Sequence, residues 1–427
     1  MDQTIVSNQE SRVITPTQHL LRSVALCAIL LISRLWVLRH PIPVHGDEAG
    51  FVAALGFPSP YPVHLPGYPL WIALGTMAWK LGASKYAAFV FWSLLGSLAA
   101  PWLLYRGLRW VLSEGLAWWT ALAFGLNPLM WFLSVTALNY TVGVTLGLIV
   151  IGCVWRGKVT CESRWIERAA WGMAVCVWLR PDYLYWLGPM VLYGVWTCRR
   201  KSVVRVLSIV LLSYGSLIAT ILYLYGGVNS TVQPIGNGHL WVEGLLNTSV
   251  FRLGVMDGVV RSAAKLLGIG VWVFGASGLL LVISFCLVGR IGTSRPSVVV
   301  FLLWWTLPLT AFVLLIHMTE PGHVILLIPA VYVLMAAALT AIVKSDFAVR
   351  IMSGVVLCSI VQFVGWPWSV DAVGWQRTLN AKIAYLSAEG LRQIDHRWDI
   401  HTPSDLWPTP MHRPTSSRPS FSPHETP

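Results

Sequence analysis

Apolar runs long enough to cross a bilayer recur along the whole chain, and the short polar stretches between them carry most of the basic residues. They lie near Leu20–Leu38, Tyr86–Tyr105, Leu116–Val135, Tyr140–Trp155, Ala169–Leu179, Tyr183–Trp196, Val203–Tyr223, Ala264–Val288, Val298–Ile316, Val324–Val343 and Ile351–Pro367. A span needs about 20 predominantly apolar residues. In lipid every backbone polar group must be satisfied inside the segment, so these runs fold as helices. Only 11% of the 427 residues are charged and 56% are hydrophobic, against about 25% charged in a soluble domain. A single core stops growing near ~250–300 residues, so the apolar excess faces lipid. The expected fold is an all-α polytopic membrane protein with about 11 transmembrane helices.

The net charge of +12 does not indicate nucleic-acid binding, which needs Lys and Arg gathered on one face. Here they stand singly or in pairs between apolar runs, as the inside loops of a membrane protein carry them. The seven cysteines form no CxxC and no Cys/His ligand spacing. None lies in a segment assigned to the outside, where disulfides form.

Orientation turns on Tyr68–Gly82. Counted as a span, it would put Arg106, Arg109, Arg156, Lys158, Arg164 and Arg168 outside. Read as a helix lying along the interface, it leaves them all inside, as the positive-inside rule favours. The first run lacks a small-x-small cleavage site and reads as an uncleaved anchor. Residues 1–19 are then cytoplasmic, 20–370 form the membrane domain, and the C-terminal part lies outside. Outward-facing segments are Arg39–Lys85, the short turn Thr136–Asn139, Gly226–Ala263, His317–His323, and the segment 371–401. Residues 402–427, rich in Pro and Ser without hydrophobic period, read as a disordered tail. Two N-glycosylation sequons, at Asn229 and Asn247, fall in the third outer segment and decide nothing.

Few acidic residues lie near the outer surface, so those that do stand out. Asp47 and Glu48 follow the first span directly. A carboxylate there would be partly desolvated and suited to general-base work; Asp47 also stands where an N-cap of a short helix would. His64 and Tyr68 sit in HLPGYPL, a turn stiffened by two prolines and a glycine. His64 suits an anionic or hydroxylated ligand, or simply the interface. Arg180 and Asp182, in WLRPDYLYW, lie between apolar runs. An ionisable group at membrane depth costs about 2.5–3.5 kcal/mol on insertion scales, and the Arg fork suits phosphate; a mutual ion pair is the alternative. The Arg180-Pro181 step leaves either two half-length helices or one kinked helix. His317, Glu320 and His323 share one short outer turn, with the makings of an anion and hydroxyl site but no strong metal spacing.

Taken in order, these pieces resemble the GT-C superfamily of membrane glycosyltransferases, which includes protein O-mannosyltransferases and aminoarabinose transferases. DEAGF from Asp47 and HLPGYPL from His64 are similar to the family's acidic motif and proline-rich turn, with Leu65 in place of a proline. Asn127-Pro128, Asn139-Tyr140, LRPD and HMTEPGH match later landmarks over residues 20–370. The resemblance implies a polyprenyl-phosphate sugar as donor and a glycan, lipid or protein acceptor outside a bacterial inner membrane. It implies Asp47 as general base, with Glu48 assisting or substituting. Arg180, with His323 and His64, would meet the phosphate, and Tyr68, Asn139, Asp182, His317 and Glu320 complete the expected substrate site. Several relatives carry a carboxylate where this chain has Asn139, so the expected enzyme needs no cofactor and a divalent metal is not favoured. Two rival readings are a secondary transporter, which calls for a second interrupted helix pair absent from this sequence, and a non-catalytic lipid-handling protein.

Overall fold

The computed structural model describes residues 16–38, 46–55, 68–198, 203–224, 249–287, 296–316 and 321–365. Among these residues the regular structure is entirely helical. Expectations that fall on His64, on His317 and Glu320, on both sequons, on most of the third outer segment and on the C-terminal region from 366 lie outside the described residues.

Six helices among the described residues are long and apolar enough to span: Pro16–Leu35, Lys85–Leu108, Tyr140–Thr160, Val203–Thr220, Ser297–Leu315 and Ser345–Phe363. The protein is a multi-pass membrane protein. The other five expected runs are shorter or broken helices. The run Leu116–Val135 divides into α5 (Glu114–Gly125) and α6 (Pro128–Leu133). Pro128 has no N–H and holds Asn127 out of the helical region, at φ −58° and ψ 135°. The run Ala264–Val288 is broken by a 3-10 turn at Gly275–Ser277, where Gly275 has φ +45°.

The centre of the fold is α7 (Tyr140–Thr160), 21 residues and so about 30 Å long. It packs against α4 (Lys85–Leu108), α8 (Ser163–Leu179) and α9 (Tyr183–Thr197). Small and hydroxylated residues allow the α4 approach. A Cβ on Gly96 would come within 2.7 Å of the backbone at Thr141 and Val142. Thr145 Oγ1 donates to the Gly96 carbonyl at 2.7 Å, and Thr141 Oγ1 to Ser93 O at 2.7 Å. This is the small-residue, side-chain-to-backbone packing that joins helices where water supplies no driving force.

Helix α3 (Pro69–Lys80) has 12 residues, about 18 Å, too short for a ~30 Å hydrocarbon core. It folds back on the start of α4, with Trp92 Nε1 donating to Leu74 O at 2.8 Å. It also covers the turn before α7, where Trp71 Nε1 donates to Ala137 O at 3.3 Å. The turn Thr136–Asn139, which the sequence assigns to the outward side, is packed beneath α3, and both Thr136 and Asn139 are buried.

The two ends of the bundle differ in chemistry. At the C-terminal ends of α4 and α7 lie Arg106, Arg109, Arg156 and Lys158. There Glu114 takes an ion pair from Arg109 Nε at 2.8 Å, a contact from His19 Nδ1 at 3.0 Å and a hydrogen bond from the Tyr105 hydroxyl. Burial alone would raise the Glu114 pKa, but its Tyr105 and His19 hydrogen bonds and the Arg109 charge outweigh it. The carboxyl is held below the usual range.

Candidate active site

At the opposite end, Pro181 sets the geometry. The residue before a proline is driven out of the helical region, and Arg180 is extended, at φ −161° and ψ 112°. This ends α8, and α9 starts three residues later. The interrupted run is two separate helices packed side by side, with Arg180-Pro181-Asp182 at the tip of the hairpin.

The Arg180 side chain is nearly buried. Its Nε donates to both Asp182 carboxylate oxygens, at 3.0 and 2.9 Å, and its Nη2 lies 2.8 Å from His323 Nε2. A guanidinium only donates, so in this contact His323 Nε2 accepts. His323 comes from the 3-10 turn Pro321–Val324 and is buried. Three aromatic rings frame the guanidinium, at 4.6 Å from Tyr140, 5.8 Å from Tyr68 and 5.9 Å from Trp186. Glycines make room for them. A Cβ on Gly322 would fall 2.3 Å from the Tyr140 ring, and one on Gly143 would fall 1.9 Å from the Tyr183 hydroxyl.

The first outer segment reaches this cluster through Tyr68. The other side of that ring meets Phe51 edge-on at 5.4 Å, and Phe51 belongs to α2 (Gly46–Ala54). Glu48, on the same helix, is fully buried and accepts a 3.2 Å hydrogen bond from the Tyr86 hydroxyl. Asp47 lies in the first turn of α2. Asn139 precedes Tyr140 at the start of α7, and its amide nitrogen finds no hydrogen-bond partner among the described residues. The same holds for the Tyr183 hydroxyl and Trp186 Nε1, both almost fully buried. Buried polar groups without partners are rare in native proteins; Trp186 belongs to the frame around Arg180, and Asn139 and Tyr183 are chain neighbours of Tyr140 and Asp182.

Segments far apart in the chain thus converge: Tyr68, Arg180, Asp182 and His323 form one cluster, Asn139 precedes its Tyr140, and α2 adjoins it. Tyr140, Tyr183 and Trp186 were missed in the sequence, although the aromatic spacing after Arg180 (YLYW) was a visible signal for a guanidinium cage.

The sequence matches no family profile and no well-characterised protein. By structure, the chain is similar to the aminoarabinose transferase ArnT from Cupriavidus metallidurans, solved bound to undecaprenyl phosphate. The TM-score is 0.51 at 12% identity, covering 90% of this chain and 78% of that one. The fold is GT-C. A further likeness is to the arabinosyltransferase EmbB from Mycobacterium smegmatis, with a TM-score of 0.49 at 15% identity; it covers 92% of this chain and 40% of EmbB. Within the GT-C fold the Arg180 hairpin, α2 and the 3-10 turn at His323 all meet at one end of the bundle.

Proposed function

We propose that the protein is a membrane glycosyltransferase that moves a sugar from a polyprenyl-phosphate carrier to an acceptor hydroxyl outside the bacterial inner membrane. The observation that carries this reading is the nearly buried Arg180 guanidinium, set by Asp182 and His323 within an aromatic frame. The GT-C fold shared with a protein that binds undecaprenyl phosphate supports a polyprenyl-phosphate partner. The gathering of basic residues at the far end of the bundle supports a cytoplasmic N-terminus and an outward-facing site.

In this reaction Asp47 takes the proton from the acceptor hydroxyl as its oxygen attacks the anomeric carbon. The bond from that carbon to the phosphate oxygen breaks on the opposite face, so the configuration inverts. The departing phosphate gains negative charge, which the Arg180 guanidinium stabilises. Asp182 and His323 hold the fork in place, and Tyr68 and Asn139 border the sugar. Glu48, fixed by Tyr86, anchors α2 and so positions Asp47. His64, His317 and Glu320 remain proposed contacts to donor or acceptor. The neutral amide of Asn139, where relatives carry a carboxylate, supports transfer that needs no metal, and activity should withstand a chelator.

The test is transfer from radiolabelled polyprenyl-phosphate sugars to a mixture of membrane-lipid and peptide acceptors. Asp47→Asn should lower the rate by ~10²–10⁴-fold, the usual share of a general base. Full activity in Asp47→Asn would move the base elsewhere, and silence from wild type with every donor would favour a lipid-handling role.

A further inference from the structure

Three arginines share one indole at the basic end of the bundle: Arg164, 5.8 Å from the Trp165 ring centroid, and two that lie closer. The guanidinium carbons of Arg156, on α7, and Arg168, on α8, lie 4.1 and 4.4 Å from the Trp165 ring centroid. The indole is itself fixed, because its Nε1 donates to Glu162 at 2.9 Å. That carboxylate is also engaged by Arg164, through contacts of 2.7 and 3.1 Å. Among the described residues neither Arg156 nor Arg168 has a carboxylate within ion-pairing distance. A guanidinium stacked on a ring keeps its N–H donors in the ring-parallel plane, available to an anion. Two like charges are therefore held about one indole, with no carboxylate of the described residues at ion-pairing distance from either.

The helix surfaces continuing from these arginines toward the bilayer are apolar and exposed. On α7, Ile149, Gly152 and Arg156 share one face at i, i+3 and i+7 spacing. On α8, Arg168, Trp171 and Val175 do the same, and all six are exposed. A Cβ on Gly152 would meet nothing within 4 Å, so the strip is open between the two packed helices. Basic groups at the head and an open apolar strip beneath have the shape and charge of a phospholipid.

We infer that Arg156, Arg168 and Trp165 form a specific site for an anionic phospholipid, in the leaflet away from the Arg180 cluster. The lipid phosphate accepts from both forks, and an acyl chain lies along Gly152, Trp171 and Val175. Like-charge repulsion between the arginines is relieved when the anion binds, so occupancy also fastens α7 to α8. The inference is independent of the transferase reading.

Native mass spectrometry of the detergent-purified full chain tests it, with phosphatidylglycerol, phosphatidylcholine and inorganic phosphate as separate additions. Wild type should retain one phosphatidylglycerol at least tenfold more strongly than phosphatidylcholine, and millimolar phosphate should not displace it. Arg156→Gln with Arg168→Gln should lose at least tenfold, while Arg156→Lys with Arg168→Lys, which keeps charge without the fork, should lose an intermediate amount. A charge-matched pair at the same end, Arg106→Gln with Lys344→Gln, should retain the lipid. Equal loss in that pair, full retention in the lysine pair, equal retention of phosphatidylcholine, displacement by phosphate, or no retained lipid would each overturn the inference.

Discussion

Arg34 lies within the apolar stretch of α1 (Pro16–Leu38), yet it is fully buried and turned into the bundle. There it donates to the Gly125 carbonyl, to Leu30 O at 3.3 Å and to Ser33 Oγ at 2.7 Å. The break at Asn127-Pro128 strips the last carbonyls of α5 of their helical donors, and Arg34 supplies one. Asn127 performs the companion task, donating to Val273 O at 3.2 Å and to the Tyr332 hydroxyl at 3.1 Å. Arg34→Ala should therefore cost about 2–4 kcal/mol, from a buried acceptor left bare and the lost packing, read as a fall in the thermal unfolding midpoint in detergent. Arg34 shows the limit of reading residues singly. In sequence it marks the end of an anchor, and only the helix break 90 residues later explains it. Arg180 was legible as a candidate because its neighbours Pro181 and Asp182 advertise an interruption, whereas its partner His323 could be joined to it only by the fold.

At the scale of elements, the six long helices and the separate character of α3 followed directly from run length and the placement of basic residues. The breaks at Asn127 and Gly275 did not, because hydropathy over a window is blind to a single proline or a left-handed glycine. Helix contacts make a sharper prediction. A methyl at Gly96 meets the α7 backbone, which cannot rotate away, so Gly96→Ala should cost about 1–3 kcal/mol as overpacking. Gly107→Ala, on the same helix with nothing near, should be neutral or slightly stabilising. Equal midpoints for the two variants would contradict the α4–α7 packing. The turn joining α4 to α5 has a titratable lock in Glu114. Because its carboxyl is held low in the folded protein, the stability it contributes is present above the ordinary Glu value of about 4.3. It is lost as pH falls through the lowered folded value. The gap in unfolding midpoint between wild type and Glu114→Gln should accordingly close on acidification and stay constant near neutrality.

For the whole molecule, the two ends carry distinct chemistry. One gathers a nearly buried guanidinium, a buried histidine and aromatic rings; the other gathers arginines, a carboxylate hub and tryptophan. Composition and charge pattern made this polarity legible from the chain alone. The convergence of Tyr68, Tyr140, Arg180, Trp186 and His323 was not legible, since it depends on which short helices fold back. The account's central claim is that the Arg180 end binds a polyprenyl phosphate. Its most direct measurement is equilibrium binding of undecaprenyl phosphate to wild type, to Arg180→Gln, and to Arg156→Gln with Arg168→Gln, each first shown to be monodisperse. The expected result is at least tenfold weaker binding in Arg180→Gln, about 1.4 kcal/mol, with the double variant close to wild type. Unchanged affinity in Arg180→Gln, or loss in the double variant alone, would contradict it.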